Sequence, residues 1–387
     1  MKILAVDVGT GTQDILLYDS DKEIENCLKL VMPSATMRVA RAVKQATREG
    51  RPVLLTGVTM GGGPSAWATL DHVRAGYVVY ATPEAARTFD DELEKVEQQG
   101  IRVVSDDEAA RLDGDVVRVT MRDFDYDAIR SAFAAFGVDL APDGLALAVF
   151  DHGNAPPGYS DRQFRFDYLE ERIRALNRLS AFAFKRGELP GHLTRLQAVE
   201  ATANFDGEVM LMDTAPAAVL GALLDPNVAA AYERSKLPGA ERQGLLAVNV
   251  GNFHVLAFRL GPGGIEGVFE HHTGEIDLAQ LDGFIDKLID GTLLHHDVFD
   301  TMGHGALVFD PKPMRAGEPV FVSVTGPRRS IMRASKRRPY FAVPFGDMMI
   351  AGCFGLLRAF ADVYPERAGT ILDSLRGSAR GAPWETL

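Results

Sequence analysis

Cysteine is almost absent from this sequence. Its 387 residues include only Cys27 and Cys353. Two thiols cannot build a disulfide framework, and they cannot supply the cysteine thiolates that hold an iron–sulfur cluster. So few cysteines are typical of a protein from a reducing compartment, and we therefore expect a cytoplasmic location.

Long apolar stretches and an excess of positive charge are missing as well. No run of 18 apolar residues occurs, so we expect no transmembrane helix, and the apolar residues 3–8 are too few for a signal-peptide core. The net charge is −12, whereas nucleic-acid binding needs a basic surface. The sequence therefore predicts neither a membrane nor a nucleic acid as partner.

The rest of the composition is that of an ordinary globular protein. With 46% hydrophobic and 24% charged residues, the chain is long enough for two domains with sizeable cores. Hydrophobic patterning predicts strands at 3–8, 14–18 and 24–31, then a helix over 34–49 and a strand at 52–58. Three consecutive strands argue against a dinucleotide-binding fold, in which strands and helices alternate from the start.

A similar order of predicted elements returns later and indicates an internal repeat. Residues 4–9 are LAVDVG, and residues 246–251 are LAVNVG. Residues 55–57 and 324–326, LTG and VTG, end predicted strands that we expect to occupy matching positions. Between the repeats, the pattern predicts a strand at 145–150 and a long helix over 167–185.

The turn after the first strand carries the most informative motif. Asp7 ends the strand, and Gly9, Thr10, Gly11, Thr12 and Gln13 follow. Glycines let backbone N–H groups approach an anion closely, and an aspartate can hold magnesium through water. The alternative is an ordinary glycine turn with a capping aspartate. The motif is not a P-loop, because the lysine and the spacing are missing.

The motifs, taken in order, resemble those of the actin, heat-shock chaperone and sugar kinase (ASKHA) superfamily. Residues 7–13 are similar to its first phosphate motif and residues 249–252 to its second, while 325–327 stand where its adenosine motif belongs. Residues 216–221 and 351–355 are similar to its two connecting helices. The resemblance implies an α/β fold of two ribonuclease H-like (actin-like ATPase) domains with an α/β insertion between them.

The resemblance also implies a ligand, a cofactor and a division of the chain. It implies that the chain binds ATP together with magnesium and that Asp7 holds the metal. It also implies a kinase or ATPase that acts on an unknown small-molecule or protein acceptor. The nucleotide-binding residues implied are Gly9, Thr10, Gly11, Thr12, Gln13, Asn249, Gly251, Asn252, Thr325, Gly326 and Pro327. The domains expected are a first half at 1–81, completed by about 145–244, an insertion at 82–144, and a second half at 245–387.

Asn249 departs from the superfamily pattern, which has an aspartate at this position. An asparagine brings no negative charge, so magnesium binding would depend more on Asp7. This leaves an alternative function, a non-catalytic nucleotide-sensing activator or assembly partner of another enzyme.

Arg328 opens a basic run that ends at residue 338. Beside the adenosine motif, Arg328 can contact the nucleotide. The alternative is a solvated helix face.

Several short segments also resemble a family labelled as pyruvate formate-lyase activating enzymes. They are residues 151–153, 298–300, 303–305 and 325–327. True activases resemble radical enzymes with three closely spaced cysteines, a pattern that this chain lacks, so we exclude radical chemistry.

Two aspartates that follow apolar strands are candidate general bases. They are Asp151 and Asp213, and the alternative for Asp213 is a helix N-cap. The turn-rich loop after Asp151 adds His152 and Asn154 as candidate substrate residues, and Arg162 either lines the same cleft or flanks the long helix.

Histidines concentrate between residues 254 and 304. A set of histidines with nearby carboxylates can bind a transition metal, which suggests a metal-dependent hydrolase as a further alternative. No His-x-x-x-His pair fixes the geometry, however, and His271 and His272 would point to opposite faces of a strand. His304, between two glycines, is the histidine that we expect to face a ligand. The members of the set are His254, His271, His272, His295, His296 and His304.

Overall fold

The computed structural model describes residues 1–112, 114–237, 243–314 and 320–377. Within these ranges the chain folds into two six-stranded sheets, one four-stranded sheet and the helices that pack on them, a mixed α/β fold. None of the described helices is both long enough and apolar enough to cross a membrane. The predicted second half (245–387) and the segment expected to complete the first half (about 145–244) each contain residues that lie outside the described ranges.

The first sheet has its central strand at the N-terminus. The strand order is β3-β2-β1-β8-β10-β9, with β1 antiparallel to β2 and parallel to β8. The bounds are β1 (Lys2–Val8), β2 (Thr12–Asp19), β3 (Leu28–Pro33), β8 (Gly144–Val149), β9 (Ala183–Lys185) and β10 (Glu208–Asp213). The third predicted strand begins later than expected, because residues 24–26 form a 3₁₀ turn that buries Ile24.

The second sheet repeats this arrangement. Its order is β14-β13-β12-β11-β15-β16, with β11 antiparallel to β12 and parallel to β15. The bounds are β11 (Leu245–Val250), β12 (His254–Gly261), β13 (Gly264–His272), β14 (Gly305–Val308), β15 (Phe321–Thr325) and β16 (Tyr340–Phe341). The LAVDVG and LAVNVG segments therefore occupy equivalent central strands, which confirms that part of the predicted repeat.

The third sheet corrects the other part of the predicted repeat. It contains four parallel strands in the order β6-β5-β4-β7. Its bounds are β4 (Val53–Gly57), β5 (Val79–Ala81), β6 (Ile101–Val103) and β7 (Val117–Met121). Residues 55–57 are thus not the counterpart of 324–326; in the first sheet that position belongs to β8. This sheet also begins well before residue 82, the predicted start of the insertion.

The helices follow their local signals where these are strong. Ser34 caps α1 by accepting a hydrogen bond from the N–H of Met37, and Gly50 ends the helix in the left-handed conformation, as expected for these residue types. The helices are α1 (Ala35–Glu49), α2 (Pro64–Arg74), α3 (Pro83–Ala86), α4 (Leu93–Gln98), α5 (Asp106–Arg111), α6 (Tyr126–Ala134), α7 (Asp161–Ala175), α8 (Thr194–Thr202), α9 (Thr214–Ala222), α10 (Pro226–Ser235), α11 (Leu278–Asp290), α12 (His295–Phe299), α13 (Ala351–Val363) and α14 (Pro365–Leu375).

The long helix predicted over 167–185 is wrong. The helix at this place, α7, begins at Asp161 behind the cap Ser160 and ends at Ala175. Asn177 then fixes the chain to β13: its side chain donates to the carbonyl of Ile265 and accepts from the N–H of the same residue. The following apolar residues reach the core from a 3₁₀ turn and from strand β9 instead of from a helix.

Helices α9 and α13 cross between the two six-stranded sheets at glycines. A Cβ on Gly221 would lie 1.8 Å from the carbonyl oxygen of Ala351, and one on Gly355 would lie 1.8 Å from that of Ala217. Helix α13 packs on β1, β2 and β8 of the first sheet, whereas α9 contacts β11 and β15 of the second. The small residues at this crossing therefore allow two backbones to touch and join the sheets.

Replacing Gly355 with alanine should lower the free energy of unfolding by about 1–3 kcal/mol, since the new methyl group overpacks a backbone contact. The matched control is Gly283→Ala in α11, where a Cβ meets nothing within 4 Å. That change should be neutral or stabilising by up to about 1 kcal/mol. Urea denaturation measures both, and equal effects of the two substitutions would contradict the role assigned to the crossing.

Candidate functional site

The carboxyl ends of the central strands of both large sheets meet in a cleft that contains three neighbouring cavities. Their volumes are about 90, 100 and 310 Å³. Thr10 lines all three. The smallest holds many of the residues predicted to bind phosphate and magnesium. It is lined among others by Asp7, Gly9, Thr10, Thr12, Asp14, Asn249, Gly251, Asn252, Gly326 and Pro327.

Two hairpin turns of the same construction face each other across this cleft. In the first, the N–H of Gly9 donates to the carbonyl of Thr12 at 2.9 Å; in the second, Gly251 donates to His254 at 2.8 Å. The backbone N–H groups of Gly11 and Asn252 donate to no described residue. The turns nearly touch, because a Cβ on Gly11 would lie 2.6 Å from Nδ2 of Asn252. Such free N–H groups suit an anion.

A pair of acids lies beneath the first turn, with Asp7 buried and Asp14 half-buried. Asp7 and Asp14 are directly opposite each other on β1 and β2. Asp7 accepts a hydrogen bond from the hydroxyl of Thr214 at 2.5 Å, whereas Oδ1 of Asp14 is buried without a partner among the described residues. Burial raises the pKa of Asp7 to about 6, and burial together with the charge of Asp7 raises that of Asp14 to about 8.

This acid pair fits a magnesium ion. Two carboxylates that face each other in a low-dielectric site repel, and a hard divalent cation with oxygen ligands relieves that repulsion. The sequence analysis missed Asp14. A signal was available, since Asp14 is the one charged residue in the otherwise apolar segment 14–18 and follows the turn directly.

The cavity between the two turns is small. Pockets for whole small molecules span roughly 300–1,000 Å³, so a cavity of about 90 Å³ holds a phosphate group and a metal only.

Not every residue implied by the superfamily resemblance faces this cavity. Thr325 is buried and accepts a hydrogen bond from Asn249 at 3.1 Å, and Gln13 donates to the carbonyl of Pro33 at 3.0 Å. The side chain of Arg328 is exposed and lines none of the three cavities. These three side chains therefore support the site from behind or lie beside it.

The two candidate bases are held by hydrogen bonds. Asp151 is buried in the wall of the largest cavity, and its two oxygens accept from the N–H groups of Gly153 at 2.8 Å and Leu196 at 2.9 Å. Asp213 caps α9 through the N–H of Ala215 and lines none of the three cavities. Neither carboxylate has an oxygen without a donor.

A buried ionic network joins the two large sheets behind this wall. Arg165 on α7 pairs with Asp213 of the first sheet and with Glu270 of the second, the latter at 3.2 Å. All three side chains are almost fully buried. Burial, only partly offset by Arg165, raises the pKa of Glu270 to about 7. Sequence patterning did not single out Glu270, because its partner Arg165 lies 105 positions away in the chain.

The cavity of about 310 Å³, the largest of these three, lies between the two large sheets and the third sheet. His152 and Arg162, two of the predicted substrate residues, line it, and Arg162 also donates to the carbonyls of Phe299 and Gly303 in the second half. Asn154 is not among the lining residues; its N–H donates to the carbonyl of His192. Arg195, which pairs with Asp123 at 2.7 Å, lines the cavity and was missed by the sequence analysis.

Three of the six clustered histidines meet in the wall of this cavity. They are His254, His272 and His304. Burial lowers the pKa of His254 and His304 well below the ordinary value, and it lowers that of His272 as well. The expected opposite orientation of neighbouring residues is confirmed for His271, which points away and bonds to the carbonyl of Thr301.

A family match covers most of the chain, including the second turn and the three histidines but not Asp7, the first turn or Asp14. The family described as “Putative pyruvate format-lyase activating enzyme (DUF1786)” matches residues 60–331. The chain belongs to this family. The match confirms the family expected from the short segments, although the family description carries no mechanism. No curated protein sequence matches the chain significantly.

Solved structures similar to this family member include kinases and phosphatases. The ROK hexokinase from Thermus thermophilus is 14% identical, with 95% of this chain and 100% of that chain covered and a TM-score of 0.28. The Aquifex aeolicus Ppx/GppA phosphatase is 9% identical over 97% and 89%, with a TM-score of 0.27.

An exopolyphosphatase-like protein is 10% identical, and the match spans 84% of this chain but only 65% of that chain, with a TM-score of 0.27. TM-scores this low establish neither a shared fold nor shared chemistry for the family.

Asp14 should make the stability of the protein depend on pH in the absence of metal. Its pKa is about 8 in the folded chain against an ordinary 3.8, so between these values the folded chain holds a proton that the unfolded chain has lost. The free energy of unfolding therefore falls as pH rises through this window. Asp14→Asn should remove that loss. Its free energy of unfolding, relative to that of wild type, should therefore increase by more than about 1 kcal/mol between about pH 5 and about pH 8.

Urea denaturation with a chelator present, repeated across this pH range, measures the effect. Asp19→Asn at the opposite end of β2 is the control, because Asp19 lies beside Lys22 at the protein surface. A difference between Asp14→Asn and wild type that stays constant with pH would show that Asp14 is not held as a buried acid.

Proposed function

We propose that this protein binds ATP with magnesium between the two hairpin turns, as a kinase- or ATPase-like member of the actin-like superfamily. The observation that carries the proposal is the pair of equivalent turns, at residues 9–12 and 251–254, that face each other over the acids Asp7 and Asp14. A polyphosphate chain needs donors on both sides and a metal beneath it, and this cleft offers the donors and two acids that can hold the metal.

The strand topology supports the fold named in this proposal. In each large sheet, three consecutive strands form an antiparallel meander. The first of them also pairs in parallel with a later strand: β1 pairs with β8, and β11 pairs with β15. We take the two sheets as the two ribonuclease H-like halves, with the third sheet and its helices inserted between β3 and β8. Helices α9 and α13 then act as the connecting helices, which fits their small residues at the crossing.

Each part of the nucleotide has residues of suitable chemistry. The free N–H groups of the two turns would hold phosphate oxygens, and Asp7 with Asp14 would hold the magnesium through its waters. Magnesium supplies charge neutralisation between neighbouring phosphates when it is bound. Gly326 and Pro327 line the cavity at the side of the second sheet, where the nucleoside would enter once the halves open.

The acceptor would occupy the largest cavity, which adjoins the phosphate site at Thr10. Its wall mixes three arginines with three aspartates, which suits a polar small molecule better than an apolar one. Asp151 can position such an acceptor through its loop, but its oxygens already accept two backbone hydrogen bonds.

A nucleotide-sensing protein without turnover is the second candidate. It is favoured by Asn249, which donates to Thr325 and brings no charge to the cleft, and by the full occupation of Asp151 and Asp213. A kinase or ATPase would need one of these carboxylates to release a donor when the halves move. Release of phosphate from ATP therefore separates the two candidates, while binding of ATP is common to both.

Isothermal titration with ATP, with and without magnesium, tests the proposed ligand. Wild type should bind MgATP more tightly than ATP alone, and Asp14→Asn should lose at least about 10-fold in MgATP affinity because its neutral amide attracts the cation less. Asp19→Asn, on the same strand but away from the cleft, should bind as wild type does.

The proposal fails if wild type shows no heat of binding at millimolar MgATP, or if Asp14→Asn and Asp19→Asn bind alike. Phosphate release measured on the same proteins then assigns the function. Turnover that disappears in Asp14→Asn indicates an enzyme, and tight binding without turnover indicates a sensor.

A further inference from the structure

We propose that His254, His272 and His304 form a binding site for a divalent transition-metal ion, zinc in particular, with one coordination position open to the largest cavity. This site is separate from the acid pair that would hold magnesium, and it does not depend on nucleotide binding. It concerns imidazole nitrogens, which prefer zinc and its neighbours over magnesium.

The three rings converge from two adjacent strands and a turn. His254 and His272 are directly opposite each other at the paired ends of β12 and β13. His304 precedes β14, where its backbone N–H donates to the carbonyl of Glu270 at 2.9 Å. The ring centroids are 4.6–5.2 Å apart, and one ligand atom from each side chain lies within 4.8 Å of the other two.

The contacts that His272 and His304 make through Nδ1 leave the lone pair of the other ring nitrogen for a metal. Nδ1 of His272 lies 2.7 Å from the carbonyl oxygen of Met302, which can only accept, so Nδ1 carries the proton and Nε2 is bare. Nδ1 of His304 faces Oε1 of Glu270 at 3.5 Å, and both atoms are buried without another partner among the described residues. A small movement completes this carboxylate–histidine bond, the arrangement that orients metal-bound histidines.

The surrounding aromatic side chains hold the rings in place. Phe150 stacks on His254 with 4.1 Å between ring centroids, and Phe253 meets the edges of His254 and His272. Behind the cluster, the two carboxylates Asp213 and Glu270 face the single guanidinium of Arg165.

Three protein ligands with an open fourth position are typical of a zinc centre that exchanges water for a ligand. Nitrogens bound to zinc at about 2.0–2.1 Å are roughly 3.4 Å apart in a tetrahedron, so the rings must draw together by about 1 Å. The fourth position faces the cavity that Arg162 also lines. Water, or an oxygen of an anionic small molecule, would fill it, and the metal would polarise that oxygen.

Zinc titration of chelator-treated protein, followed by metal analysis after desalting, tests this site. Wild type should retain one zinc per chain, and a cobalt-substituted sample should show the visible absorption of a tetrahedral centre. His272→Ala and His304→Ala should each lose at least about 100-fold in zinc affinity and lose the cobalt spectrum, because each removes one of three ligands.

The control is His296→Ala, which removes an exposed histidine from the same region and should leave both readouts unchanged. His272 is only partly buried, so its replacement leaves the core intact, and circular dichroism checks this. Zinc affinity equal in wild type and His272→Ala, or less than one zinc retained by wild type, overturns the inference.

MgATP titration of His272→Ala distinguishes this site from the proposed nucleotide site. Retained MgATP binding with zinc lost supports two separate sites. Zinc binding in a protein that fails to bind ATP leaves the metal site standing and rejects only the proposed function. Loss of MgATP affinity in His272→Ala, with the fold unchanged, overturns the separation of the two sites.

Discussion

The cleft depends on one steric constraint, the contact between α9 and α13. Gly221 and Gly355 bring each helix backbone against a carbonyl of the other, at distances that no side chain permits. Because α13 covers the first sheet and α9 reaches the second, this contact sets how near the two sheets lie. Gly352 adds to it, since a Cβ there would collide with Asp7. The turns can therefore meet over the acid pair.

That close approach also concentrates buried charge and polarity where the sheets face each other. Asp7 and Asp14 share one end of the cleft, Arg165 bridges Asp213 and Glu270 in the middle, and the three histidines line the other end. Burying ionisable groups costs folding free energy unless they are paired or bind ligands. Among the described residues Arg165 has two ion-pair partners, whereas Asp7, Asp14, His254 and His272 have none, and the proposed ligands would interact with these two sets.

The sequence predicted the elements of the site better than its chemistry. The first turn, the second turn and the strands before them were located correctly, because glycine and buried strands leave strong local patterns. The helix over 167–185 was wrong, since contacts of Asn177 with β13 override its helical periodicity. Asp14, Arg195 and Glu270 were missed as site residues, because an isolated charge in a strand or helix does not show what it faces.

By itself, the sequence determined the first three strands of each large sheet, the equivalence of the LAVDVG and LAVNVG strands, and the family. These follow from local periodicity and from motifs whose residues are neighbours in the chain. Only the tertiary structure decided that β4 belongs to the inserted sheet, that Asp213 is bound by Arg165, and that three of six histidines converge. Each of these depends on residues far apart in sequence, and long-range packing alone determines which of them meet.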